Sequence, residues 1–126
     1  MQNRFVIHLH SGYGPEHFDL MLQQGPALAT WQLSRPPGEL AEGQAMPARR
    51  IADHRLAYLH YEGPVSRGRG KVARLDAGAC EIICADESRW EFRLAGEKLR
   101  GRFELKRREG ADDWTFERLS DSPRRP

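Results

Sequence analysis

Apolar and polar residues alternate along most of this 126-residue chain, and glycines and prolines separate the alternating runs. Alternation is the pattern of a β-strand with one buried face, and Gly/Pro clusters are typical of the turns between strands. A further turn is predicted at residues 76–78. The pattern predicts nine strands, at residues 4–10, 17–23, 27–33, 57–62, 71–76, 79–85, 89–95, 98–106 and 114–119.

Short strands at this density favour a β-sandwich or a β-barrel. Residues 35–47 have no strand pattern and are predicted to form a loop, in which residues 40–45 are a weak helix candidate. The chain length fits one domain, which we place at residues 1–119. Residues 120–126 are polar and rich in Pro and Arg, and they are predicted to form a disordered tail.

Composition excludes few classes of protein. No apolar run is long enough to span a membrane, and the strand pattern begins at residue 4 without a signal-peptide pattern before it. These observations predict a cytoplasmic protein with no membrane partner. Cys80 and Cys84 are interpreted as buried free thiols, because their spacing in a strand disfavours a disulfide and no second pair completes a zinc site.

The net charge of +2 at pH 7 indicates no particular partner, but the basic residues are grouped. One group surrounds a Gly-rich turn and contains Arg67, Arg69, Lys71 and Arg74, and a second alternates with apolar residues within 98–108. A basic strand face can follow a line of phosphates. The alternative is a solvated face whose charges are balanced by the acidic residues nearby.

Three of the five histidines lie in one short segment that ends in an acid. Alternation places His8 and His10 on one face of the first predicted strand, and His17 and Asp19 on one face of the second. A Gly/Pro loop joins the two strands, so their polar faces can converge. Because two imidazoles and a carboxylate commonly bind divalent transition metals, His10, His17 and Asp19 are a candidate metal site. The alternative is the solvent-facing side of an amphipathic hairpin.

A second candidate site lies in residues 52–63, where His54, Tyr58 and His60 share sequence parity. A His and a Tyr can donate hydrogen bonds to a phosphate oxygen, and the His can protonate a leaving group. Considered alone, the segment is better explained as an amphipathic strand with a packed Tyr58 and a solvated His54.

Four blocks of the sequence resemble the 3′-phosphoesterase domain of bacterial DNA ligase D and its free-standing homologues. Residues 4–10 and 17–22 are similar to the family's RFVIQKH…LHYDFRLEL, and residues 31–37 to its SWAVPKGPS. Residues 53–63 give the most specific match, to EDHPLEYLDFEG, and residues 92–103 resemble the family's ending, F-x-L-x-G-x-x-L-x-G-x-W/F. The resemblance covers residues 4–119 and implies a small closed or nearly closed β-barrel of about eight strands with one or two short helices.

The resemblance also implies a divalent metal, manganese in the family with zinc as the alternative. Its ligands correspond to His10, His17 and Asp19. The neighbouring His8 replaces a Gln of the family and can supply an extra ligand or a contact that supports the ligands.

The family's catalytic, phosphate-contacting His and Tyr correspond to His54 and Tyr58. Arg35 takes the place of the Lys in PKGPS, and three further cations are candidates for binding the phosphate: Arg50, Arg67 and Arg69.

Departures from the family count against a simple transfer of its activity, and the loss of one arginine is among them. Met21 stands where the family has the Arg of its D-x-R motif, which contacts phosphate. Met21 has the strand parity of His17 and Asp19, so it is expected to border the metal site. We therefore expect weak or altered activity, and we expect Met21→Arg to raise 3′-phosphatase activity or phosphate affinity.

The function implied is removal of a 3′-phosphate or a 3′-ribonucleotide from DNA ends in end-joining repair. The implied partners are a nucleic-acid 3′ end and a DNA-repair ligase or polymerase. Two other interpretations stay open. One is a non-catalytic, metal-containing module that binds a nucleic-acid end or a phosphate, and the other is a β-barrel that serves protein contacts.

Overall fold

The computed structural model describes residues 3–120, and within them the chain forms nine β-strands and two short 3₁₀ helices. The helices span Pro37–Glu39 and Leu56–Leu59. Ser120 is exposed and outside the strands, and the rest of the predicted tail, 121–126, lies outside the described residues. The strands are β1 Asn3–Ser11, β2 His17–Gln24, β3 Ala27–Leu33, β4 Ala45–Arg55, β5 Gly63–Pro64, β6 Lys71–Ala85, β7 Arg89–Gly96, β8 Arg100–Arg107 and β9 Asp113–Arg118.

Eight of these strands form a closed antiparallel barrel. The strand order is β1-β2-β3-β4-β9-β8-β7-β6, and β1 pairs with β6 to close it, while the two-residue β5 adds to the other edge of β6. The predicted β-barrel is therefore confirmed. Within residues 3–120, no helix is long and apolar enough to cross a membrane.

Aromatic side chains fill the barrel interior. The ring of Trp31 lies edge-on to those of Trp90 and Trp114, with centroids 5.1 and 5.5 Å apart. Phe103 stacks on Phe116, with centroids 5.3 Å apart. Because close-packed side chains occupy the interior, a binding site has to lie on the outer face or at an end of the barrel.

The outer face of β1–β3 carries a smaller apolar cluster. Val6, Met21 and Leu28 are fully buried there, and Leu59 of the Leu56–Leu59 helix packs on them. Both faces of these three strands are therefore buried at this end, one in the barrel interior and the other in the outer cluster. The polar remainder of the outer face lies next to this cluster.

Two local predictions were wrong. Residues 57–62 do not form a strand, since the chain turns into the Leu56–Leu59 helix. Residues 76–78 are not a turn, because β6 continues through them and pairs with both β1 and β7. Gly78 makes this possible, since a Cβ there would lie 2.2 Å from the carbonyl oxygen of Ala95.

The predicted loop at residues 35–47 and the weak helix at 40–45 were also partly wrong. The 3₁₀ helix lies earlier, at Pro37–Glu39, and β4 begins at Ala45. The alternation in the first half of β4 is carried by Met46 and Ala48, which are buried, while Pro47 between them is exposed. One small residue and one proline conceal the strand pattern.

Acidic side chains balance part of the charge on the outer face of β7 and β8. Arg89 forms ion pairs with Glu91 and Glu104, and Arg102 Nη1 lies 3.2 Å from Glu91 Oε2. Of the predicted basic group at 98–108, Arg102 is therefore balanced, whereas Arg100, Lys106 and Arg107 are exposed on β8. Cys80 is buried and Cys84 is half-buried, and both thiols are free, as predicted.

Candidate metal and phosphate site

The β1–β2 hairpin brings the three predicted ligands together on the outer face of the barrel. His10 stands opposite His17, and His8 stands opposite Asp19. Residues directly opposite in an antiparallel pair share a face. One ligand atom from each of His10, His17 and Asp19 lies within 4.8 Å of the other two. This is the polar convergence that alternation and the short loop predict.

Backbone carbonyls determine which nitrogen of each imidazole faces the carboxylate. His10 Nε2 lies 2.7 Å from the carbonyl oxygen of Arg69, and His17 Nδ1 lies 3.2 Å from that of Pro15. Because a carbonyl oxygen can only accept, the ring nitrogen next to it carries the hydrogen and donates a hydrogen bond to that oxygen. The other nitrogens, His10 Nδ1 and His17 Nε2, then direct lone pairs towards Asp19, at 3.8 and 3.4 Å from its oxygens. Metal-binding histidines are commonly oriented in this way.

The environment of Asp19 favours a bound cation. The residue is only 3% exposed, and its Oδ1 is buried and has no hydrogen-bond partner within residues 3–120. Burial raises the pKa of the carboxyl group, although the positive charges of His17, His54 and His10 oppose this effect. Since an uncompensated buried carboxylate is costly, a divalent cation among these three residues would satisfy both the carboxylate and the two lone pairs. The residues therefore fit the metal that the sequence predicts.

The opposite wall of the site is formed by the 52–63 segment. His54, at the end of β4, and Tyr58, in the Leu56–Leu59 helix, line one cleft of about 270 Å³ together with His10, His17 and Asp19. The rings of His54 and Tyr58 are 5.4 Å apart, and His54 Nδ1 lies 3.0 Å from the carbonyl oxygen of Ala52. The structure thus brings together the two candidate sites predicted from sequence.

Of the four predicted phosphate-binding arginines, Arg69 lines the cleft. Its guanidinium donates to the carbonyl and hydroxyl oxygens of Ser66, at 2.9 and 3.1 Å. Arg67 is exposed in the same loop and does not line the cleft, and Arg35 lies in the exposed turn after β3. Arg50 stands opposite Trp31 on β3, on the face that carries the core. The structure therefore does not bring Arg35, Arg50 or Arg67 to the cleft.

A family model for the DNA ligase D 3′-phosphoesterase domain matches residues 8–107. The chain belongs to this family. The match extends from His8 to the end of β8 and includes both walls of the cleft. Membership indicates a DNA-end-processing phosphoesterase domain. No curated protein sequence gives a significant match.

Met21 lies on the predicted face but not in the cleft. It stands two residues after Asp19 on β2, opposite Val6, and its side chain has no exposed surface. Leu28 and Leu59 pack with it in the outer apolar cluster. The expectation that Met21 borders the site where the 3′-phosphoesterase family has an arginine was therefore wrong, because the Leu56–Leu59 helix covers it.

Gln32 is a cleft residue that the sequence reasoning missed. It stands opposite Asp19 on β3, and its Nε2 lies 3.4 Å from His17 Nε2. Side-chain amide orientations are assigned from their surroundings, so either the NH₂ group or the carbonyl of Gln32 can face His17. The signal was present in the sequence, since Gln32 is the polar residue between Trp31 and Leu33 on a strand that follows β2.

We expect Arg50 to contribute to stability and not to the site. Its guanidinium lies 4.4 Å from the Trp31 ring centroid, and 5.6 and 5.7 Å from those of Trp90 and Trp114. Arg50→Ala should lower the free energy of unfolding in urea by roughly 1–2 kcal/mol, through lost cation–π contact and packing. Metal binding should stay unchanged. Arg49→Ala, at the exposed neighbouring position, is the control and should change stability by less than about 0.5 kcal/mol.

His8 should make the metal-free protein sensitive to acid. Burial lowers its pKa from 6.5 to about 4, and the positive charges of His54 and Arg74 act in the same direction. Between these pH values the unfolded chain binds the proton more readily than the folded chain, so stability is lost as the pH falls from 6.5 to 4. The loss should be on the order of 2–3 kcal/mol.

Urea unfolding in EDTA across this pH range measures the effect. His8→Gln should flatten the pH dependence, whereas His60→Gln, at an exposed histidine, should not. Both variants retain Asp19, so its own titration cancels from the comparison. Equal acid sensitivity in His8→Gln and the wild type would contradict the prediction.

Proposed function

We propose that this chain is a divalent-metal-dependent phosphoesterase that removes a 3′-phosphate or a 3′-ribonucleotide from DNA ends. The observation that carries the proposal is a single cleft of about 270 Å³. It is lined by the candidate metal ligands His10, His17 and Asp19 together with His54 and Tyr58. The reaction's final product, a 3′-hydroxyl end, is what a DNA-repair polymerase or ligase needs, so such an enzyme is the proposed partner.

The residues of the two walls have different proposed roles. His10, His17 and Asp19 would hold a divalent cation, which supplies Lewis-acid stabilisation of the charge on a phosphoryl group. His54 donates through Nδ1 to Ala52, so Nε2 is left to donate, when protonated, to a phosphate oxygen or to the leaving oxygen. The Tyr58 hydroxyl can donate to a second phosphate oxygen.

The ligand set suits more than one metal. Imidazoles favour zinc, and a carboxylate together with further oxygen ligands favours manganese. We propose manganese, because a phosphate and water would complete the coordination with oxygen atoms. Zinc is the alternative that the assay has to compare.

Hydrolysis of defined primer–templates tests the proposal. One primer carries a 3′-phosphate and another carries a single 3′-terminal ribonucleotide, and EDTA-treated protein is supplied with Mn²⁺, Zn²⁺ or Mg²⁺. We expect hydrolysis that depends on added metal, is fastest with Mn²⁺ and is lost in His54→Ala. His60→Ala is the matched control. Hydrolysis in EDTA at the same rate, or none with any metal, would overturn the proposal.

Burial of Met21 supports a second candidate function. Without the family's phosphate-contacting arginine, the site has fewer groups that stabilise a transition state. The alternative is a non-catalytic, metal-containing module that binds a phosphate or a nucleic-acid end. Metal-dependent binding of the 3′-phosphate primer without turnover would favour this alternative.

A further inference from the structure

A cavity at one end of the barrel, the end cavity, has no role in the site described above. Antiparallel pairing places three turns at this end, at residues 25–26, 86–88 and 108–112. The volume of the end cavity is about 370 Å³, and small-molecule sites of this size are common in the mouths of β-barrels. Strand β2 runs from His17 in the metal cleft to Gln24 at the end cavity, so the two lie roughly 20 Å apart.

Arg50 lines the end cavity together with Trp90 and Trp114. All three tryptophans of the chain lie beside its guanidinium, whose carbon is 4.4 Å from the ring centroid of Trp31 and 5.6 and 5.7 Å from those of the other two. Cation–π contact and packing against these rings restrict the side chain. The guanidinium is therefore held in place before a ligand arrives, which lowers the entropy cost of binding.

The hydrogen-bond donors of this guanidinium are unused by the protein. The Arg50 side chain is only 26% exposed, and its ion-pair partner is Asp53, whose Oδ1 lies 3.7 Å from Nη2. That distance is too long for a hydrogen bond, and within residues 3–120 the guanidinium makes no other polar contact. A half-buried charged group without hydrogen bonds is costly. An acceptor that enters the end cavity would consequently be stabilised by Arg50.

The charges around the end cavity favour a ligand with one negative charge. Two cations, Arg50 and Arg107, and two carboxylates, Asp86 and Glu87, line it. Since these charges balance, a doubly charged phosphate would be repelled by the carboxylates more strongly than a monoanion. A carboxylate also matches the planar fork of a guanidinium, to which it can bind through both oxygens. A carboxylate is therefore the group that fits Arg50.

Apolar surface next to Arg50 favours a flat hydrophobic body on the same ligand. Ala85 and Ala111 line the end cavity beside Trp90 and Trp114. The two alanines are small and leave room for a ring, and aromatic rings associate favourably with indole rings. We propose that the end cavity binds a carboxylate with a planar apolar body, whose carboxylate lies on Arg50 and whose body lies against Trp90 and Trp114. This binding needs no metal, so it is independent of the proposed hydrolysis.

Titration with benzoate, followed by intrinsic tryptophan fluorescence, tests the proposal. Because all three tryptophans lie beside Arg50, their emission reports on the end cavity. We expect a saturable change in emission with the same Kd for the Mn²⁺-loaded protein, the EDTA-treated protein and His17→Ala, which lacks a metal ligand. Benzamide has the same ring without the charge, and it should bind about tenfold more weakly or worse.

Two kinds of variant locate the bound benzoate. Arg50→Gln should weaken binding by about tenfold or more, and Arg50→Lys, which keeps the charge but not the fork, should have an intermediate effect. Ala111→Phe should also weaken binding, because Ala111 is exposed in the end cavity and the added ring fills it. This variant keeps Arg50 and all three tryptophans. It therefore decides the question if Arg50→Gln fails to fold in a urea-unfolding control.

Arg49→Gln and Ala95→Phe are the matched controls, since both positions are exposed outside the end cavity, and both variants should bind benzoate as the wild type does. Absence of a saturable change in the wild type, or equal affinity for benzamide, would overturn the proposal. Loss of the change in His17→Ala would place the benzoate at the metal ligands and would overturn it as well. So would an unchanged Kd in Ala111→Phe together with an unchanged Kd in folded Arg50→Gln.

Discussion

Replacement of His17 or Asp19 with Ala is expected to abolish Mn²⁺ binding and to lower hydrolysis of a 3′-phosphate by about 10³-fold or more. Each residue contributes one of the three ligand atoms that lie within 4.8 Å of one another. Metal content after purification without chelator measures the first effect. Melting with and without Mn²⁺ gives a second readout, because a ligand bound to the folded state raises Tm. The wild type should gain stability and the variants should not.

The stability of the metal-free proteins shows whether a variant loses only its metal site or also its fold. Burial raises the pKa of Asp19, so the folded state holds this proton more tightly than the unfolded chain does. Stability therefore falls as the pH rises through the folded-state pKa. At neutral pH in EDTA, Asp19→Ala should be at least as stable as the wild type. Glu81→Ala, at a side chain that is 70% exposed, is the control with normal metal content. Unchanged metal stoichiometry in both His17→Ala and Asp19→Ala would contradict the prediction.

The clustering of His10, His17 and Asp19 could be predicted from sequence because strand parity and one short loop determine their positions. In β1 and β2, alternation assigns each side chain to a face, and the hairpin connection makes the two strands neighbours. His10 and His17 consequently stand directly opposite each other. No distant part of the chain has to be placed for this result. The tautomers of the two rings depend on Arg69 and Pro15 and could not be inferred.

The position of Arg50 could not be predicted from sequence, because the face on which each β4 side chain lies depends on the register of that strand. Arg49 and Arg50 are neighbours in sequence, yet Arg49 is exposed on the outside of β4 and Arg50 lies over Trp31. A shift of one residue exchanges the two faces of a strand. The β3–β4 pairing also contains an irregularity between Leu28 and Thr30. The basic character of this segment was visible in the sequence, but which of the two side chains points outward was not.

The 52–63 segment shows a different limit of prediction from sequence patterns. The resemblance to the family identified His54 and Tyr58, and both line the cleft. Alternation suggested a strand at 57–62, whereas the chain forms the Leu56–Leu59 helix and packs Leu59 onto the barrel. Parity along β2 gave the correct face for Met21, but it could not show that this helix covers that face.

Met21→Arg is therefore expected to destabilise the protein and not to improve phosphate binding. Met21 is fully buried against Val6, Leu28 and Leu59. A guanidinium placed there loses its hydration without a carboxylate partner, which should lower the free energy of unfolding by roughly 3 kcal/mol or more. Met21→Leu keeps the volume and the apolar character, so it should cost less than about 1.5 kcal/mol. Urea unfolding and phosphate titration of both variants with Mn²⁺ measure the two effects. A Met21→Arg protein as stable as the wild type and with tighter phosphate binding would show that the new side chain passes the Leu56–Leu59 helix and reaches the cleft.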